Sequence, residues 1–415
     1  MLVSRVVSLC CAIAVLVIAP VVASAYVIKT SSSGASVHWT VSEVELTPAF
    51  VPGPSSVTSS VAQAATAAAA TTWRTALAGT VDVVESTTVV AAAPHGNDGV
   101  NLVRWAIDKA DPDIEHGVLA LTFVAYRVSD GVIEDADIVL NSADFAWVTA
   151  GAGCKTGYDL ESAMTHELGH ALGLAHSADH DATMFATGGP CEVGKRDLTA
   201  DDQAGIDELY PAPVPMPMGG CSAGGGSGGL AALIGFALIA VMRKSRAAAA
   251  GLIVVGLAAT ADASQLRRLE LADLGHDAAL VVRGHVVAVT TSADGELETD
   301  SELVVDECLA GACPATVQVR RRGGERGDVG LWVDGEAAPT RGEEVIVYLR
   351  RDARGQLRVL GGVQGLLHVV TVRQGVFAVR DLRGHHVQVG DSWQAGALEV
   401  TDLAALQRSL PSRTR

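Results

Sequence analysis

At 415 residues, with 49% hydrophobic and 19% charged side chains and a mean hydropathy of +0.30, the chain is too apolar for a disordered protein and long enough for two or three domains. Its net charge of −17 is unevenly spread: residues 26–211 carry 8 Lys and Arg against 25 Asp and Glu, whereas residues 264–415 carry 18 against 21. So acidic a first module repels nucleic acid, which removes that class of partner, and is compatible with calcium binding or simply with solubility.

The N-terminus has Arg5, an apolar run from Val6 to Ile18, Pro20 and the small residues Ala23 and Ala25. This is a signal-peptide pattern over residues 1–25, so the chain is expected to be exported, with its first domain starting at Tyr26. Residues 36–42 alternate apolar and polar side chains and predict a strand. The Ala-rich stretch 55–79 predicts one long helix closed by Gly79. Strand-like segments follow at 80–90, 101–107, 117–128 and 131–140. Residues 159–174 predict a helix capped by Asp159 and ended by Gly173, and 199–210 a last helix with acids in its first turn. The expected first domain, residues 26–211, is therefore α+β with a single sheet.

Composition then changes abruptly. Residues 212–229 form a Pro-rich and then Gly-rich linker containing Cys221, and residues 230–246 an apolar segment with a basic stop at Arg243, Lys244 and Arg246. A second apolar, signal-like segment spans 247–263, and from 264 to 415 short Val-rich strands separated by Gly and Asp predict a small all-β domain. Cys154 with Cys191, and Cys308 with Cys313, are candidate disulfide pairs in an oxidising compartment, while Cys221 is left over.

The chemistry is carried by "THELGHALGLAHS". On a helix, His166 and His170 lie on one face and can share a metal ion, and Glu167 beside them can polarise a bound water. Gly173 ends the helix so that His176 can arrive as third ligand, leaving one position open. His180, His38, His95 and His116 lack metal-like spacing and read as ordinary structural or surface residues. Asp130, Glu134, Asp135 and Asp137 offer a candidate calcium site or, as the plainer reading, a solvated acidic loop.

These residues fill the H-E-x-x-H-x-x-G-x-x-H pattern, and the chain here resembles the metzincin zinc endopeptidases. Ser177 after the third histidine, "HSADHDATMFA" and "LTADDQAGIDELYP" are similar to the matrixin branch, over residues 36–211. The resemblance implies catalytic zinc on His166, His170 and His176, Glu167 as general base, Met184 in a turn beneath the ligands, and protein or peptide substrates held along an edge strand at Val118 to Val124. Leu121 stands where a structural-zinc histidine is expected, which argues against a second zinc. The rival reading is a catalytically silent binding or adhesion module on the same scaffold, with 264–415 as the functional part.

The segment from the linker through residue 246 resembles the myxobacterial C-terminal sorting tag, which implies membrane or surface attachment with Cys221 as the processed residue. Such tags end proteins, and this one is internal. Two organisations fit: two exported proteins joined in one chain, or one protein whose apolar runs form a shared anchor. The first is favoured, because a single span would leave Cys308 and Cys313 in a reducing compartment.

Overall fold

The computed structural model describes residues 25–212 and 266–410, apart from 89, 115–117, 152–153, 187, 268, 293–295, 334, 353, 373–374, 383–385, 390–391 and 396–397. The signal-like N-terminus up to residue 24, Cys221, the apolar segments 230–246 and 247–263, and His116 lie outside the described residues. Among the described residues, no helix is long and apolar enough to cross a membrane.

In the first module, β1 (Glu43–Ala49), β2 (Asp82–Glu85), β3 (Asn101–Ala106), β4 (Ala120–Arg127) and β5 (Ile133–Asn141) form one sheet. β1 pairs in parallel with both β2 and β3, β3 is parallel to β5, and only β4 is antiparallel, on β5. Helix α1 (Ser59–Leu77) buries Ala62, Ala65, Ala69, Trp73 and Leu77, a helical spacing, against a core shared with the sheet. Thr58 caps its start, and the chain leaves it through Ala78 and Gly79, both at positive φ. Helices α2 (Leu160–Ala171) and α3 (Ala200–Leu209) complete the module.

Residues 36–42 do not form the expected strand. They make only isolated bridges, Thr30 with Ser36 and His38 with Val132. Their alternation has another cause: Val37 and Trp39 are buried, and Trp39 Nε1 donates to Ala171 O at 2.8 Å, tethering this segment to the end of α2. The strand forms just beyond, at β1, where Val44 and Leu46 alternate with Glu43 and Glu45, although Pro48 lies inside it.

In the second module, Leu280–Ser292, Glu298–Ala310, Thr316–Arg322, Leu357–Val359 and Glu344–Arg351 pair in that order, and the last pairs back with the first. The five close into a small barrel, which removes their free edges. Val282, Val286, Leu303, Val345 and Val347 share one core cluster. Three further strands extend from Glu344–Arg351, and short helices at Leu271–Asp277 and Leu403–Ser409 pack on a second cluster.

One hairpin leaves this module. Its strands, β6 (Gly324–Arg326) and β7 (Val329–Val333), pair with each other, and β7 pairs antiparallel with β4. The first module's sheet thus has seven strands in the order β6-β7-β4-β5-β3-β1-β2, two of them supplied by the second module. The expectation of a self-contained sheet is corrected here: β4 is not a free edge.

Candidate metal centre

Helix α2 places its chemistry through its ends. Asp159 accepts Ser162 N at its start and is ion-paired with Arg196, Nη2 to Oδ1 2.6 Å. Although burial opposes its charge, Arg196 and the backbone donors of Ala150 and Ser162 hold this carboxyl below its usual range. At the other end Gly173 has φ 100°, and a Cβ there would lie 2.0 Å from Val37 O, so both conformation and space require glycine. The reversal delivers His176 beside the helix.

The three Nε2 atoms converge: His166 to His176 2.9 Å, His170 to His176 2.9 Å, and His170 to His166 3.2 Å. His166 Nδ1 lies 2.7 Å from Thr183 O, and His170 Nδ1 2.8 Å from Leu174 O. A carbonyl can only accept, so both rings carry their proton on Nδ1 and present a bare lone pair at Nε2. Neutral lone pairs aimed at one point are not hydrogen bonds but a cation site. Tetrahedral nitrogen ligands about 2.0–2.1 Å from zinc are about 3.3 Å apart, close to the spacing here. Burial, with Lys195 and His170 adding to it, holds His166 well below its ordinary range, and burial brings His170 down to about 4, which keeps both rings neutral. The residues therefore fit a zinc ion.

Beneath the ligands runs a turn containing Met184. A Cβ on Gly169, in the last turn of α2, would meet Met184 Sδ at 2.1 Å and Trp73 Cζ2 at 2.9 Å, so this glycine makes room for the methionine. The turn is held by Asp202, whose carboxylate accepts Thr183 N at 2.7 Å and Met184 N at 2.8 Å while its other contacts cap α3 through Thr199. Ser177 Oγ donates to Asp201, which also accepts the amides of Ala25 and Tyr26. Buried Lys195, pushed down to about 8 by burial, donates to Thr183 O and Phe185 O and lies 3.4 Å from His166 Nδ1.

Glu167 does not join the lone-pair cluster. Its Oε2 accepts a hydrogen bond from Thr122 Oγ1 on β4 at 2.6 Å, and burial pushes its carboxyl up to about 7 against the lowering effects of Thr122 and Lys195. Asp202, Lys195 and Thr122 were not singled out from sequence. An acid at the third position of α3 is fully explained by capping, and Thr122 and Lys195 lie 45 and 29 residues from the side chains they meet.

Among the remaining candidates, Cys154 and Cys191 are disulfide-bonded, as are Cys308 and Cys313. The four acids considered for calcium separate into two groups. Asp130 and Glu134 pair with exposed Arg127, whereas Asp135 and Asp137 are buried and accept backbone amides of Gly99, Gly96 and Leu102. They do not converge on one point. His180 pairs with Asp181 on the surface, and His38 bonds Ser36 O. His95 is more than an ordinary core residue: it joins Asp113 of its own module to Glu296 of the second, Nδ1 to Oδ1 2.7 Å and Nε2 to Oε1 2.8 Å, the latter an ion pair rather than an aligned hydrogen bond.

A three-histidine centre on a helix that stops at glycine, above a methionine turn, defines the metzincin scaffold. Residues 38–211 match the family described as Matrixin, so this part of the chain resembles a matrixin-like metzincin domain. It is similar to metalloendoproteinase 1-MMP of Arabidopsis thaliana, 52% identical over 52 residues, covering 12% of this chain and 14% of the relative. Macrophage metalloelastase of Oryctolagus cuniculus is 48% identical over 64 residues, 15% of this chain and 14% of the relative, and human neutrophil collagenase is 28% identical over 127 residues, 31% and 26%. The chain thus spans about a quarter or less of the length of these relatives.

Proposed function

We propose that residues 26–211 are an exported zinc metalloendopeptidase that hydrolyses peptide bonds in protein or peptide substrates. The observation that carries this reading is the convergence of three imidazole Nε2 atoms beside a buried carboxyl group that Thr122 holds in place. Zinc, when bound there, supplies a Lewis acid for the scissile carbonyl and lowers the pKa of water. Glu167 takes the proton from the attacking water and returns it to the leaving amine nitrogen, with Thr122 orienting its carboxylate. An extended substrate would pair with the main chain of β4 only where β7 does not occupy it, a mode that asks little of its sequence.

Export is supported by the signal-like N-terminus and by two disulfides, which belong to oxidising compartments. Attachment at the cell envelope through residues 230–246, with Cys221 as the processed residue, follows from the tag-like sequence alone. The rival, a silent binding module, is weakened by intact Glu167, since loss of that base is the simplest route to an inactive scaffold.

The test is chelator-sensitive cleavage of a quenched-fluorescent peptide library by the zinc-loaded chain. Glu167→Gln keeps zinc and fold but is expected to lower cleavage by ~10²-fold or more. Cleavage unchanged in that variant overturns the assigned role.

A further inference from the structure

We propose that the C-terminal β module is an intramolecular inhibitor of the peptidase, whose β6–β7 hairpin occupies the strand along which substrate would lie. The proposal rests on the peptidase reading above.

A strand edge offers a single outward row of amides and carbonyls, so it pairs with one partner at a time. On β4 that row is taken. Val329 pairs with Arg127, Leu331 with Ala125 and Val333 with Phe123, and beyond the ladder Val128 N donates to Asp328 O. The hairpin is held in this register by Glu325, which accepts from Tyr126 Oη at 2.8 Å and from Ser32 N at 2.9 Å. A peptide that needs the same main-chain groups cannot bind until β7 leaves.

β7 also approaches the chemistry. Trp332 meets the ring of His170 edge-on, with centroids 5.3 Å apart, and Lys29 Nζ lies 4.9 Å above the indole. Trp332 is 6% exposed and belongs to the core cluster of the first module rather than to that of its own. Its indole N–H has no hydrogen-bond partner among the described residues, a cost of polar burial that packing against the site has to offset. With the module in place Glu167 is 7% and His170 1% exposed.

The opposite face of β4 is covered as well. Leu121, Phe123 and Ala125 form one apolar cluster with Leu297, Leu331 and Val333 of the second module. Leu121 is the position at which the matrixin resemblance leads one to expect a zinc-binding histidine. Here an apolar residue serves docking.

The hairpin can be displaced at its own contact with β4. Gly330 faces Tyr126, and a Cβ there would lie 2.5 Å from the ring, so Gly330→Val cannot dock in this register. The experiment compares zinc-loaded full-length wild type, Gly330→Val and Trp332→Ala by three readouts: cleavage of the quenched-fluorescent library, affinity for an extended hexapeptide hydroxamate, and amide exchange over residues 123–127. We expect faster exchange on β4, at least ~10-fold tighter hydroxamate binding and at least ~10-fold faster chelator-sensitive cleavage in both variants. Faster exchange with unchanged binding and cleavage overturns the inhibitory role while leaving the peptidase intact. Tighter binding with no cleavage by any form upholds exclusion from the cleft and overturns the peptidase reading. If Gly330→Val fails to fold, Trp332→Ala decides by the same criteria.

Discussion

The side chains of His170 and His95 are both buried, yet the first is pushed down to about 4 and the second up to about 9. Burial acts against the charged ring in both, so it cannot be the difference. At His170 the partner is the Leu174 carbonyl, which fixes the tautomer but supplies too little charge to retain a second proton, and Lys195 and Lys29 add to the lowering. At His95 the carboxylates of Asp113 and Glu296 outweigh burial and keep the ring charged. Carbonyl neighbours thus prepare an imidazole to hold a metal ion, and carboxylate neighbours prepare it to hold a proton.

The contrast is broken most severely at the metal centre. His170→Ala removes one of three lone pairs and is expected to weaken zinc binding by at least ~100-fold, since loss of a mere supporting contact already costs 10–100-fold; metal content after dialysis reads this directly. Next comes the support beneath the ligands. Asp202→Ala strands the amides of Thr183 and Met184, and at about 1.5–3 kcal/mol for each bond to a charged acceptor the fold should lose ~3–6 kcal/mol in denaturant titration.

A smaller effect is expected at Gly169. Alanine gains about 1 kcal/mol of helix propensity, but its methyl would overlap Met184 Sδ, and overpacking typically costs about 1–3 kcal/mol. Gly169→Ala should therefore be net destabilising, by up to ~2 kcal/mol, and a stabilised variant would mean that Met184 moves freely. The mildest test sharpens the other side. Because His95 is raised, its stabilisation is fully present below its ordinary range near 6.5 and is lost as pH rises through about 9. The groups facing it, Asp113, Glu296, Asp137 and, through Glu296, Arg322, leave Glu296 as the inter-module partner. Melting curves of wild type and Glu296→Gln should differ most near pH 6 and converge above pH 9.

How much of this was legible in sequence follows from distance along the chain. His166, Glu167, His170, Gly173 and His176 lie within eleven consecutive positions, and helical geometry together with the reversal at Gly173 brings them together. The cap Asp159 and the start of the last helix at Thr199 were readable for the same reason. Residues 36–42 were misread because burial of Val37 and Trp39 under the end of α2 imitates the alternation of a strand. Asp202 was hidden by a sufficient local explanation. The docking of β7 on β4 joins residues about 200 positions apart, and neither strand carries a mark of its partner. A Leu at 121 was the only trace: it was visible as a missing metal ligand, but not as a contact waiting for another module.

The enclosure of β4 has a colloidal side. Once β7 departs, the sheet ends in an unpaired strand flanked by Leu121, Phe123 and Ala125, and the departing module bares Leu297, Leu331 and Val333. An open edge beside an apolar strip is a template for chains to add to one another. A population of released molecules would therefore be limited in concentration by its own tendency to aggregate, so that the same contact sets both when the cleft opens and how long an opened molecule stays in solution.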